Sequence, residues 1–170
     1  MFAALMATAA FADGPPADAA SPAPDFAVPA PTLEEPVTAA LRVLPAREGG
    51  GTNYEAVIRA RISESHHIYA TNYPGGTFAP TSVKLDLPPG ATARGDWLAS
   101  APARAANGGL VYTNSVVFQR LISIASSARA VTLSITGEMR FQACSEDFCL
   151  PPATIKLSAS LTSPARIKPK

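Results

Sequence analysis

Alternation of apolar and polar residues, cut at intervals by proline and glycine, constrains this chain more than any other feature. Tyr54, Ala56, Ile58, Ala60 and Ile62 are interleaved with Glu55, Arg59 and Arg61. A period of two sends successive side chains to opposite faces, so the pattern predicts a strand with one buried face. Val83, Leu85 and Leu87 repeat it and stop at Pro88-Pro89-Gly90, a strong turn signal. Residues 37–44 read as an earlier strand, ended by Pro45 and the run Gly49-Gly50-Gly51. Residues 111–124 are β-rich, with Val116, Phe118, Ile122 and Ile124 as core positions. Val131, Leu133 and Ile135 alternate with Thr132, Ser134 and Thr136, and the pattern runs on through Met139 and Phe141. Ile155, Leu157 and Leu161 mark the last strand. No window carries an apolar stripe of helical period. Some seven or eight short strands between turn signals predict an all-β fold, an immunoglobulin-like antiparallel β-sandwich.

The 170 residues allow one domain with tails. Seven prolines between Asp13 and Pro36 mark residues 13–36 as an extended linker. The sandwich is expected over residues 37–161, followed by a basic tail over 162–170. A net charge of +1 gives no strong field for nucleic acid or an anionic membrane surface. Residues 2–11 are apolar, and Ala10-Phe11-Ala12 resembles a cleavage site, so residues 1–12 read as an export segment. No Lys or Arg precedes Arg42, so the basic start typical of such a segment is missing. No apolar run reaches the ~18 residues needed to span a bilayer. The expected mature chain is exported and carries no transmembrane helix.

An exported chain with two cysteines points to a disulfide. Cys144 ends one predicted strand, and Cys149 stands just before the Pro151-Pro152 pair that precedes the next. A short connection between antiparallel strands brings its ends within disulfide range. Closing so short a loop stabilises by only about 2 kcal/mol in the chain-entropy model. Spacing alone therefore leaves two readings open, a local brace and a working redox pair. Glu146 and Asp147 lie between the cysteines, and nearby negative charge disfavours a thiolate. Phe148 is placed to shield Cys149, which would slow casual exchange until a partner displaces the ring. The plainer alternative makes the acids a solvated loop and Phe148 a core residue.

The stretch Phe141-Gln142-Ala143-Cys144, then Phe148-Cys149-Leu150-Pro151-Pro152, resembles the N-terminal periplasmic domain of DsbD, a transmembrane thiol–disulfide interchange reductase. Further matches occur in the same order. They are Ser65-His66-His67-Ile68-Tyr69-Ala70, Pro80-Thr81-Ser82-Val83, Leu87-Pro88-Pro89-Gly90 and Val111-Tyr112. The resemblance covers roughly residues 37–161. It implies an immunoglobulin-like sandwich with the cysteine pair at one end, and a periplasmic role in carrying electrons. The electron donor would be a membrane-embedded thiol reductase or a thioredoxin-like domain. The acceptors would be oxidised periplasmic thioredoxin-fold proteins, including disulfide isomerases and thioredoxins of cytochrome c biogenesis. Neither an organic nor any other small-molecule cofactor is implied. By the resemblance Cys149 forms the mixed disulfide with partners and Cys144 resolves it. Tyr69 matches an aromatic packed near the pair, and His67 stands where the family often has an aromatic. Phe148, Tyr69, His67, Phe141, Glu146 and Asp147 are the expected shield and partner surface. The resemblance does not extend to the family's membrane-spanning and C-terminal thioredoxin-like domains, so the expectation is a stand-alone version, a fragment, or a protein that works with a separately encoded membrane partner. Where the family has an acidic–aromatic cap loop, residues 95–109 offer only Trp97 and Leu98 as bulky side chains.

Two other function classes compete. One is an exported immunoglobulin-like adaptor whose disulfide only braces a loop. The other is metal trafficking by His66, His67 and the cysteines. Adjacent strand residues face opposite ways, so one histidine at most could join the cysteines, short of the four ligands of structural zinc. No metal site is therefore expected. Trp97 and Tyr73 read as packing residues.

Overall fold

The computed structural model describes residues 26–46, 52–74, 76–105, 108–125 and 131–163. The described residues form strands and turns without a helix. The strands are β1 (Val37–Pro45), β2 (Asn53–Ile62), β3 (His67–Tyr69), β4 (Ser82–Asp86), β5 (Ala91–Ala99), β6 (Ala103–Arg104), β7 (Leu110–Thr113), β8 (Ser115–Ile124), β9 (Val131–Phe141), β10 (Ala143–Cys144) and β11 (Ala153–Ser163). They pair antiparallel in three sheets, ordered β1-β2-β8-β5, β11-β9-β4 and β10-β3-β7-β6.

The first two sheets are the faces of an immunoglobulin-like sandwich. Register puts Ile58 opposite Phe118 and Tyr54 opposite Ile122 across β2 and β8. All four side chains point into one core, where they meet Ile135, Met139 and Leu157 of the facing sheet. Ile58, Phe118, Ile122, Ile135 and Met139 are fully buried. Each such side chain contributes roughly 1.5–3 kcal/mol of transfer free energy. The alternation in the sequence therefore sets both the strands and the direction each strand faces.

The β-rich run over residues 111–124 is two strands, not one. Asn114 has φ +60°, in the left-handed region where Asn is among the few tolerated side chains. Its carbonyl accepts from Ile62 N–H at 2.8 Å. The bend sends β7 into the sheet with β3 and β8 into the main sandwich. β5 carries no sequence prediction, because Ala, Arg, Gly and Asp dilute its β-propensity. It is an edge strand whose register on β8 shifts between Arg94 and Leu98, where Gly95 adopts φ +63°. Gly137 answers a different demand. A Cβ there would lie 2.5 Å from the Lys84 carbonyl oxygen on β4, so any larger residue forces the two strands to shift.

Residues 26–36 lie against the sandwich, although their prolines read as a linker. Val28 and Pro36 are buried. The Phe26 ring sits 6.0 Å from the Arg42 guanidinium and 5.6 Å from that of Arg59. Arg61 Nη1 donates to the Val28 carbonyl at 3.3 Å, and Thr38 Oγ1 donates to the Pro29 carbonyl at 2.6 Å. The scattered apolar residues give the segment something to bury, which composition hides. The export segment over 1–12, the linker over 13–25, the glycine run over 49–51 and the tail from 164 lie outside the described residues.

Candidate functional site

The small third sheet builds the site. In β10, Ala143 pairs with Ile68 and Cys144 with His67. Side chains alternate across so short a strand, so Ala143 enters the main core while Cys144 turns to a second apolar cluster. That cluster holds Tyr69, Val111 and Cys144, with Tyr73, Phe78, Ala105 and Cys149 packed against it.

Cys144 and Cys149 are disulfide-bonded, with S–S 2.00 Å and Cα–Cα 4.0 Å. They face each other across an isolated antiparallel bridge. A tight turn closes the loop between them. Ser145 N–H donates to the Phe148 carbonyl at 2.8 Å. The Ser145 hydroxyl oxygen accepts from the N–H groups of Asp147 and Phe148, at 3.3 and 3.2 Å. Beyond the second cysteine, Leu150 N–H donates to the Ala143 carbonyl at 2.9 Å. Ser, Glu and Asp suit this loop because short polar side chains cap turn backbone.

The two sulfur-bearing residues differ in access. Cys144 is 1% exposed, whereas Cys149 is half-buried. Both line a groove of about 800 Å³, together with His67, Arg104, Glu146 and Phe148. Tyr69, 2% exposed, is the centre of an aromatic stack beside the pair. The Phe78 ring lies parallel to it at 4.8 Å and 7°, Tyr73 packs at 4.6 Å, and His67 meets it edge-on at 5.6 Å. Partial burial, and secondarily the neighbouring His66, lower the His67 pKa below its usual value. The imidazole is therefore the neutral form at neutral pH.

Several expected site residues stand elsewhere or differently. Phe148 is 57% exposed on the turn and lines the same groove as Cys149, so it does not join the core. Phe141 is buried in the main sandwich core, since odd-numbered positions of its strand face that way. Trp97 also packs against that core, and Leu98 is 71% exposed on the β5 edge. Neither caps the disulfide. The segment that lines the groove in the cap position is Ala103-Arg104-Ala105, small and basic. Aromatic cover comes instead from Tyr73 and Phe78, in the β3–β4 connection. Tyr73 is thus a site neighbour as well as a packing residue. Glu146 and Asp147 are exposed at the turn, as the loop reading expects.

Thr81 shows why the β3–β4 connection folds back here. It is the one polar side chain among the buried described residues, 2% exposed. Its Oγ1 and its N–H both donate to the Tyr69 carbonyl, at 2.6 and 3.0 Å. A buried hydroxyl needs such a partner, and this one pins residue 81 to the end of β3. The Pro80-Thr81 motif was the only sequence trace of that anchor.

The arrangement is a solvent-reachable disulfide on a short turn, flanked by neutral imidazole and aromatic rings. Comparison with known proteins gives it a context. The family model described as "Thiol:disulfide interchange protein DsbD, N-terminal" matches residues 35–160. No curated protein matches the chain. Among solved structures, the N-terminal periplasmic domain of ScsB from Proteus mirabilis superposes with TM-score 0.51 at 15% identity, covering 76% of this chain and 48% of that one. This chain thus spans about half the length of the ScsB structure. At that identity the likeness is one of fold. The reduced N-terminal domain of Neisseria meningitidis DsbD gives TM-score 0.43 at 15% identity, covering 74% of this chain and 90% of that one. The major pilin subunit BcpA of Bacillus cereus gives 0.45 at 11%, covering 76% and 41%.

Proposed function

From the premise that this chain belongs to the DsbD N-terminal family of thiol–disulfide interchange domains, we propose that Cys144 and Cys149 carry two electrons to oxidised thioredoxin-fold proteins outside the cytoplasm. One observation carries the reading. The pair is asymmetric, since both cysteines line the groove but Cys149 is half-buried while Cys144 is 1% exposed.

In the reduced protein the Cys149 thiolate attacks a partner disulfide. The partner S–S bond breaks, a mixed disulfide forms, and the departing partner thiolate takes up a proton. Cys144 then loses its proton and attacks the Cys149 sulfur. The second partner thiolate leaves and is protonated, and the Cys144–Cys149 bond is restored. Two electrons and two protons pass to the partner, so the chain acts as a protein-disulfide reductase module. A reduced thioredoxin-like domain or membrane thiol reductase returns it to the dithiol by the reverse exchange.

The geometry supports this division of labour. A thiolate exchanging with another protein must be reachable, and Cys149 is the more exposed of the two. Exposed Phe148, next to Cys149, offers a partner an apolar contact at the point of attack. Periplasmic location accords with the family. The described residues contain no helix long and apolar enough to cross a membrane.

Trapping tests the assignment. Reduced Cys144→Ser protein mixed with an oxidised thioredoxin-fold protein is expected to give a covalent one-to-one adduct that dithiothreitol dissolves. Cys149→Ser protein is expected to give none. An adduct through Cys144 instead would reverse the roles.

A further inference from the structure

Gln142 stands between β9 and β10, two residues before Cys144. Its Oε1 accepts from Ala79 N–H at 2.8 Å, and its Nε2 donates to the Leu150 carbonyl at 3.1 Å. A backbone N–H only donates and a carbonyl only accepts, so these partners fix the orientation of the amide. A flipped amide would lose both bonds.

The two partners matter because of what precedes each. Ala79 follows Phe78, whose ring is stacked on Tyr69 beside the disulfide. Leu150 follows Cys149, the more exposed of the two cysteines at the groove. One carboxamide therefore ties the residue after the shielding ring to the residue after the reacting sulfur. The β3–β4 connection has anchors at both ends, where Tyr73 N–H donates to the Ala70 carbonyl and Thr81 bonds to Tyr69. Gln142 adds the tie between those anchors, at the point where Phe78 would swing.

We propose that Gln142 is a positioning residue that sets how readily the disulfide is attacked, by holding Phe78 closed over Tyr69 and Leu150 against β10. It touches neither sulfur in the exchange. This rests on the reading of Cys144–Cys149 as a working pair, but it concerns the rate of exchange and leaves the equilibrium potential unmoved.

The experiment measures reduction of the oxidised protein by dithiothreitol, well below the melting temperature. Gln142→Ala removes both bonds, and loss of one or two neutral hydrogen bonds is expected to raise the second-order rate about tenfold. Gln142→Met keeps the volume while removing the bonds, and its rate is expected to rise equally. Phe78→Ala should raise the rate by removing the ring. Because Gln142 acts through that ring, the double variant should be no faster than the faster single variant. Potentials against glutathione should match the unsubstituted protein. A merely structural glutamine would lower the melting temperature and leave the dithiothreitol rate within twofold of the original. That result, or independent multiplying effects of Gln142 and Phe78, would overturn the inference. Failure of the electron-carrier reading shows separately, as a pair that glutathione cannot reduce whatever stands at position 142.

Discussion

His67 is the residue whose protonation bears most directly on the site, since it pairs with Cys144 across β3 and β10 and lines the groove. Burial, with His66 beside it, holds its folded pKa below the ordinary 6.5. The sign follows from linkage. Below pH 6.5 the unfolded chain takes up a proton that the folded chain resists, so folding loses stability as pH falls from 6.5 through the folded pKa. Above 6.5 both states are neutral and the contribution is constant. The melting temperature of the protein is therefore expected to fall between about pH 7 and about pH 5 more steeply than that of His67→Phe. Parallel pH profiles for the two proteins would contradict it. The position of His67 and Tyr69 near the cysteines was legible only through the family resemblance of the stretch Ser65 to Ala70, not from any pattern of their own. Gln142 was legible only as part of the cysteine motif. Its bond to Ala79 joins residues 63 apart in sequence, and no local pattern announces a contact of that range.

Among the elements, β9 joins the sandwich to the site. It pairs with β4 on one side and β11 on the other, and leads directly to β10. Across these strands Glu138 stands opposite both Lys84 and Lys156, with Lys156 Nζ donating to its carboxylate at 2.5 Å. The pairs are exposed and screened, so the packing beneath them matters more. Gly137 is the tightest point, with the Lys84 carbonyl in the space of a Cβ and Leu85 Cδ2 at 3.1 Å from it. Backbone cannot yield as a flexible side chain would. Gly137→Ala is expected to cost about 1–3 kcal/mol, read as a lower urea midpoint at unchanged m-value. An unchanged midpoint would mean that β4 moves away freely. The elements legible beforehand were those with one clean apolar face, as in β2, β8 and β9. β5 was hidden because an exposed edge strand needs no apolar alternation. The break at Asn114 was hidden because its two flanking strands are both β-rich, and only their sheet membership differs.

At the scale of the molecule, the sandwich and the disulfide are separable. The main core draws chiefly on β1, β2, β8, β9 and β11, joined by Ile68, Tyr112 and Ala143 of the third sheet, whereas the cysteine pair belongs to a second, smaller cluster on that sheet's other face. The bond closes a loop whose ends are five positions apart, inside a turn already held by Ser145. Replacing both cysteines with Ser is expected to leave the fold intact and lower unfolding free energy by about 2 kcal/mol. Circular dichroism with urea titration measures it. Collapse of the fold would make the disulfide a structural requirement and favour the adaptor reading. The sandwich could be foreseen because its period and turns repeat along the whole domain. The rings packed on Tyr69 could not, since Tyr73 and Phe78 reach it through a connection whose path is set by Thr81, far from either cysteine in sequence. A stable scaffold that does not depend on the bond is what a reversible carrier requires.

Equilibrium titration of the Cys144–Cys149 pair in glutathione buffers bears on that requirement most directly. Conversion between disulfide and dithiol is expected within the span of potentials from about −180 to about −300 mV, with the far-ultraviolet spectrum unchanged across the transition. A pair that stays oxidised below that span, or a sandwich that unfolds as the bond opens, would contradict it.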